Sequence, residues 1–342
     1  MQLRLCVFNV ENLFVLADEP SEARIQQIID HDSEQEWQAV SVSIIPNKPL
    51  RQLKGVARAI REMNADILML CEVGGLESLR NFSKYFLNGE FTPHLIEGNS
   101  DRGIDLGYLV RSSLPLKYDL ISHKHRSIDF LYPHERQSIK TGYANDKLKA
   151  QPTHKFSRDV LELRVFDASG KLNLICMLVH LKSQLDRDRI DPFGRDRRQA
   201  ELEKLVKIYL ELEEEHDGKI PIAIGGDFNG AASGPVLDPE FEELRKQTKL
   251  KDVLEVAAVP VEERFTHMQI QAWGNKSVNR QFDCLFVNPP LQAAVIAGES
   301  KVFHYTDEFK MKIEVPRTLS EKRLLPSDHY PVITEVHLDE KK

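Results

Sequence analysis

Ile220-Pro221-Ile222-Ala223-Ile224-Gly225-Gly226-Asp227-Phe228-Asn229-Gly230 opens as a short apolar run and ends in a tight polar turn. An apolar run of this length, closed by Gly, Asp and Asn, predicts a buried β-strand over Ile220–Ile224. The same pattern recurs on both sides of it. Apolar runs at Leu3–Val10, Ile67–Cys71, Leu106–Val110, Val160–Phe166, Leu172–His180, Phe282–Val287 and Val332–Val336 read as further strands. Between some of them lie helical patterns. Leu50–Met63 places Leu53, Val56, Ala57 and Ile60 on one face, and Arg195–Glu215 does the same with Leu202, Leu205, Val206, Tyr209 and Leu212. Strands and helices are mixed without strict alternation, which favours an α/β fold built on mixed sheets over a barrel of repeated strand–helix units.

The chain has 342 residues, 41% hydrophobic and 29% charged, enough for a sizeable core without staples. The net charge of -7 gives no support to a protein that coats nucleic acid, though it leaves room for a local basic groove. Cys6, Cys71, Cys176 and Cys284 each sit in an apolar run with no Cys-x-x-Cys pair, so reduced core thiols are expected, as in a cytoplasmic protein. A strand-like run from Leu3 leaves no room for a signal peptide, and no run is long enough to span a membrane. Residues 17–49 and 123–155 read as polar insertions in a single domain covering residues 1–342.

The polar residues collect where strands end. Asn9-Val10-Glu11-Asn12, Glu72, His180-Leu181-Lys182, Asp227-Phe228-Asn229, Asp283 and Ser327-Asp328-His329 all stand beside apolar runs. Strand ends are the usual place for ligand clefts in α/β folds. Carboxylate and amide oxygens suit Mg²⁺ or Mn²⁺, and Asp with His suits the handling of water and phosphate. Each residue alone has a plainer explanation: a turn for Asn9 and Asn12, a solvated strand end for Glu72, a tight loop for Asp227, a core histidine for His180. That all of them recur at strand ends, in order, is what favours a site.

In order and spacing, these motifs, with Ser157-Arg158-Asp159, Phe282-Asp283 and Arg102-Gly103-Ile104-Asp105, resemble the endonuclease/exonuclease/phosphatase superfamily, from residue 3 to about 337. The resemblance implies a four-layer α/β sandwich, two mixed β-sheets packed face to face with helices on the outside. It implies a divalent-metal-dependent phosphoesterase cutting phosphodiester bonds by in-line attack of water, most simply a DNase I-like nuclease. The alternative is a phosphomonoesterase or lipid-headgroup hydrolase; a non-enzymatic scaffold is the remotest reading, since no key residue is lost. Glu72 would hold Mg²⁺ or Mn²⁺ with Asn9 and Asp328. Asp227 would orient and deprotonate water, Asn229 would hold a phosphate oxygen, and His329 paired with Asp283 would bind the phosphate. His180 would contact the leaving-group side, while Arg158 and Lys182 would act as exposed cations on substrate charge, Lys182 heading a basic set with Arg187, Arg189, Arg195, Arg197 and Arg198. The implied partner is a phosphate-ester substrate, nucleic acid among the options, with no obligate protein partner. Glu11 stands where many relatives carry Asp, and the Trp-Cys-Asp-Arg signature of inositol phosphatases is absent.

Overall fold

Strand Leu172–His180 is apolar on both faces because both faces are covered. Leu174, Cys176 and Leu178 point into one core, and Ile175, Met177 and Val179 point into another, the period-two alternation of a strand buried on each side. In the computed structural model, which describes residues 1–18, 21–186, 188–270 and 277–338, that strand lies inside one of two six-stranded sheets. Its sheet runs Lys117–Ser122, Val160–Phe166, Leu172–His180, Ile222–Asp227, Asp283–Val287 and Lys251–Asp252 from edge to edge. The other runs Lys301–Val302, Val332–His337, Gln2–Leu13, Ile67–Val73, Asp105–Arg111 and Phe91–Leu95. Each contains one parallel pair at its centre, Gln2–Leu13 with Ile67–Val73 and Leu172–His180 with Ile222–Asp227, among antiparallel neighbours.

The central strands of the two sheets pack on each other. Gly225 makes that approach possible, since a Cβ there would stand 2.4 Å from Val7 Cγ2 of the facing sheet. Tyr108 ties the sheets together, its buried hydroxyl lying 2.8 Å from the carbonyls of both Leu161 and Cys176. Helices Leu50–Met63 and Gly75–Phe86 cover the sheet of Gln2–Leu13 with Leu53, Val56, Ile60, Leu79 and Phe82. Helix Arg195–Glu215 covers the sheet of Leu172–His180 with Leu202, Leu205, Val206, Tyr209 and Leu212. The result is the four-layer α/β sandwich that the resemblance implies. All four cysteines are buried and free.

The insertions are less polar in effect than in composition. Residues 17–49 form helices Glu22–Asp30 and Glu34–Gln38, and plant Ile25, Ile28, Ile29 and Trp37 in the main core. Residues 123–155 form helices Pro133–Lys140 and Asp146–Ala150, with Ile128 buried in the outer core of the Leu172–His180 sheet. Among the described residues no helix is long and apolar enough to cross a membrane.

Candidate active site

The parallel centres of both sheets end at the same rim, and that is why residues far apart in sequence meet. Asp227 closes its strand and is 2% exposed. Its preceding residue, Gly226, has φ +146°, and a Cβ there would fall 1.8 Å from Val179 O, so only glycine brings the chain into this turn. Asp227 Oδ1 accepts the Asn229 N–H (2.8 Å), and Oδ2 accepts from Asn9 Nδ2 (3.0 Å) across the sheets. His180 Nε2 and His329 Nε2 stand 3.6 and 3.9 Å from the same Oδ2. Burial, offset by His329 and reinforced by Asp283, raises the Asp227 carboxyl to about 7.

His329 is fixed from behind. Its Nδ1 lies 2.7 Å from Oδ2 of Asp283, which has no exposed surface. Thr266 Oγ1 accepts the N–H groups of Phe282 (3.0 Å) and Asp283 (2.9 Å) and so holds that strand end in place. Burial alone would lower the His329 imidazole, but Asp283, Asp328 and Asp227 together raise it well above its ordinary value, which favours its protonated form. His180 goes the other way. Burial first, then Arg158, His329 and Arg102, hold it neutral, and its Nδ1 has no partner among the described residues. A satisfied core histidine would have one.

Glu72 enters from the other sheet. Its carboxylate accepts from Asn9 Nδ2 (3.5 Å) and from the Asn12 N–H (3.2 Å), and it makes no ion pair among the described residues. Glu11, Asn12, Glu72 and Asn229 all adopt left-handed backbone, with φ +48°, +52°, +66° and +54°. Such strained positions in non-glycine residues cluster where function requires them. Asp328 lies with Oδ2 3.2 Å from Lys322 Nζ and 3.4 Å from His267 Nε2, and Oδ1 3.8 Å from His329 Nε2. Asp227, Asp283 and His329 present ligand atoms within 4.8 Å of one another, as do His267, Asp328 and His329. Oxygen donors predominate around Glu72, Asn9 and Asp227, and a carboxylate there without a close ion pair fits a hard divalent cation.

Several expectations change in detail. Arg158 is buried, not exposed, and donates to Leu181 O at 3.3 Å. Lys182 is half-buried and its ammonium donates to the carbonyls of Ser183 (3.0 Å) and Leu185 (2.7 Å), which folds its own loop. Asn229 Nδ2 likewise donates to Leu181 O at 3.0 Å. Both Arg158 and Lys182 still line a 380 Å³ cavity beside the site, with Arg102, Tyr132 and Arg197. Arg198 is not part of that groove, because it pairs inside the protein with Glu240; Arg187 lies outside the described residues. Lys48, Thr266, His267 and Lys322 were not legible as site residues. Each comes from an insertion, a loop, a short helix or the small two-stranded sheet, with no apolar pattern to place it.

In fold the chain is similar to solved structures of endonuclease/exonuclease/phosphatase proteins. It is similar to zebrafish (D. rerio) TDP2 in complex with a single-strand DNA product, at 15% identity and TM-score 0.57, covering 98% of this chain and 99% of that one. An endonuclease/exonuclease/phosphatase protein from Bacteroides vulgatus aligns at 15% identity and TM-score 0.53 over 99% of this chain and all of its own. A mannosyl-6-phosphatase from Bacteroides thetaiotaomicron aligns at 14% identity and TM-score 0.52, covering 98% and 100%. No protein-family model matches the chain, and no curated protein matches it in sequence.

Proposed function

We propose that this protein is a divalent-metal-dependent phosphoesterase that hydrolyses phosphodiester bonds by in-line attack of water. The observation that carries this is Asp227: a buried carboxyl raised to about 7, gripped by Asn9 and Asn229 and flanked by a neutral His180 and by His329, whose protonated form is favoured. A base with that affinity for protons takes one from water near neutral pH and still releases it. His329, held by Asp283, sets positive charge and an N–H where the phosphoryl oxygens gather charge. His180 offers its neutral imidazole beside the same Asp227 oxygen, and Arg158 supplies a guanidinium at the cavity wall. Glu72, with Asn9, would hold Mg²⁺ or Mn²⁺, which when bound neutralises phosphate charge. Asp328 is the third candidate ligand, though it already faces Lys322 and His267.

A nuclease-type diester is the first reading of the substrate, supported by the likeness to a protein crystallised with single-strand DNA. A small phosphomonoester is the second. Asp101, Asp186, Asp188 and Asp191 line the cavity beside Arg158, and carboxylates there repel a long polyanion. Hydrolysis of single-strand and duplex DNA, bis-p-nitrophenyl phosphate and p-nitrophenyl phosphate, each with Mg²⁺ and Mn²⁺, separates the two. Turnover of none of the four, with folded and metal-loaded protein, contradicts the proposal.

A further inference from the structure

Lys48 is the least expected residue in the cleft. It comes from the 17–49 stretch, its side chain is 2% exposed, and it reaches the carboxylate cluster from behind. Its Nζ donates to Glu11 O (2.8 Å) and lies 3.9 Å from Glu11 Oε2. The backbone of Lys48 is pinned at both ends: its N–H donates to Phe14 O (2.9 Å), and its carbonyl accepts from the buried Trp37 Nε1 (3.0 Å). The ammonium is therefore delivered by packing to this one place. Glu11 Oε2 also accepts the Asp328 N–H (3.1 Å), and Asp328 in turn faces Lys322 Nζ at 3.2 Å. Two of the three carboxylates on this side, Glu11 and Asp328, thus have a lysine from the protein itself. Glu72 makes no ion pair within 4.0 Å among the described residues, and Lys48 acts on it only at longer range, after Glu11 and Asp328.

We propose that Lys48 is a built-in counter-ion of the catalytic cleft, which keeps Glu11 inside the protein's own ion network and leaves Glu72 as the carboxylate that takes the divalent cation. The inference rests on the metal-dependent reading of the site. Its physical basis is the burial of Lys48, since a buried ammonium without a carboxylate beside it is strongly disfavoured or loses its charge, and Glu11, partly exposed at the cleft, is the carboxylate within reach. Lys48 also braces the Glu11–Asn12 turn through its bond to Glu11 O, and both residues of that turn have left-handed backbone. The Asn12 N–H that contacts Glu72 is held in place by the same turn. The 17–49 stretch, on this account, exists at the site to deliver one positive charge.

The test is Mn²⁺ binding to the metal-free protein, followed by the EPR signal of free Mn²⁺. Wild type should show one site. Glu72→Gln should weaken it by about tenfold or more, the scale of losing a ligand or its support, and Glu11→Gln should leave it within about twofold. Lys48→Met should add a second, weaker site, which the Lys48→Met/Glu11→Gln double variant loses again. If Glu11→Gln weakens the wild-type site as much as Glu72→Gln, the proposal is wrong, whether or not Lys48→Met folds. If Lys48→Met folds and still shows a single site, it is wrong as well. Absence of any site in wild type overturns the metal-dependent reading itself.

Discussion

Asp283→Asn isolates the electrostatics that hold His329 in its working state. The substitution keeps the size and the contact to the imidazole Nδ1, at 2.7 Å, but removes the negative charge. In the wild type that charge is the first contributor raising the His329 pKa against the opposing effect of burial. A buried hydrogen bond between charged groups contributes about 1.5–3 kcal/mol, and losing it should destabilise the protein by that order. The pH dependence gives the sign. A histidine whose folded pKa is raised contributes stability that is fully present below its unfolded value, about 6.5, and fades as pH rises through the folded value. The destabilisation by Asp283→Asn should therefore be largest at pH 6 and smaller at pH 9. Urea unfolding of the metal-free proteins at both pH values measures it, and an NMR titration of His329 should show its pKa falling towards or below the ordinary value. Equal destabilisation at both pH values, with an unmoved His329 titration, would refute the reasoning.

Asp227 must be ionised to act, so kcat/KM should decline as pH falls through about 7, less steeply if a bound cation pulls the carboxyl down. The same shift works against the fold. Metal-free wild type should lose stability as pH rises from about 4 to about 7, and Asp227→Asn should remove that loss. Arg158→Ala should raise KM and also lower Tm by several degrees, because Arg158 is buried and bonded to Leu181 O; an unchanged KM would reassign it to a structural role. EDTA should abolish turnover, and Mg²⁺ or Mn²⁺ should restore it in wild type but not in Glu72→Gln at the same concentration.

Central strands and long helices could be read from the sequence because their patterns are set by burial. Val160–Phe166, Leu172–His180, Leu50–Met63 and Arg195–Glu215 run between the residues that periodicity marks. Gln2–Leu13 and Ile222–Asp227 extend past their apolar runs into the polar rim, since the candidate site residues Asn9 and Asp227 are themselves in the ladder. Phe91–Leu95 and Lys117–Ser122 left no such mark. Both are edge strands; the first carries Pro93, and most of the second is partly exposed. Among site residues, those on central strands, such as Asn9, Glu72, His180, Asp227 and Asp283, were legible from the polar end of an apolar run. Lys48 was not, because a lysine before Pro49 in a polar stretch looks solvated until the packing of Trp37 places it. The burial of Arg158 escaped for the same reason: a cation between Ser157 and Asp159 gives no hint that Leu181 O lies behind it.

The central claim is that Asp227 is the base that activates water. Asp227→Asn keeps the shape and can still bond to its neighbours, but it cannot take the proton. Turnover of the best substrate by folded, Mn²⁺-loaded Asp227→Asn, compared with wild type at pH 8, tests this most directly. The account predicts a fall in kcat of about a hundredfold to ten-thousandfold, with Mn²⁺ affinity close to that of wild type. Turnover at the wild-type rate would contradict it.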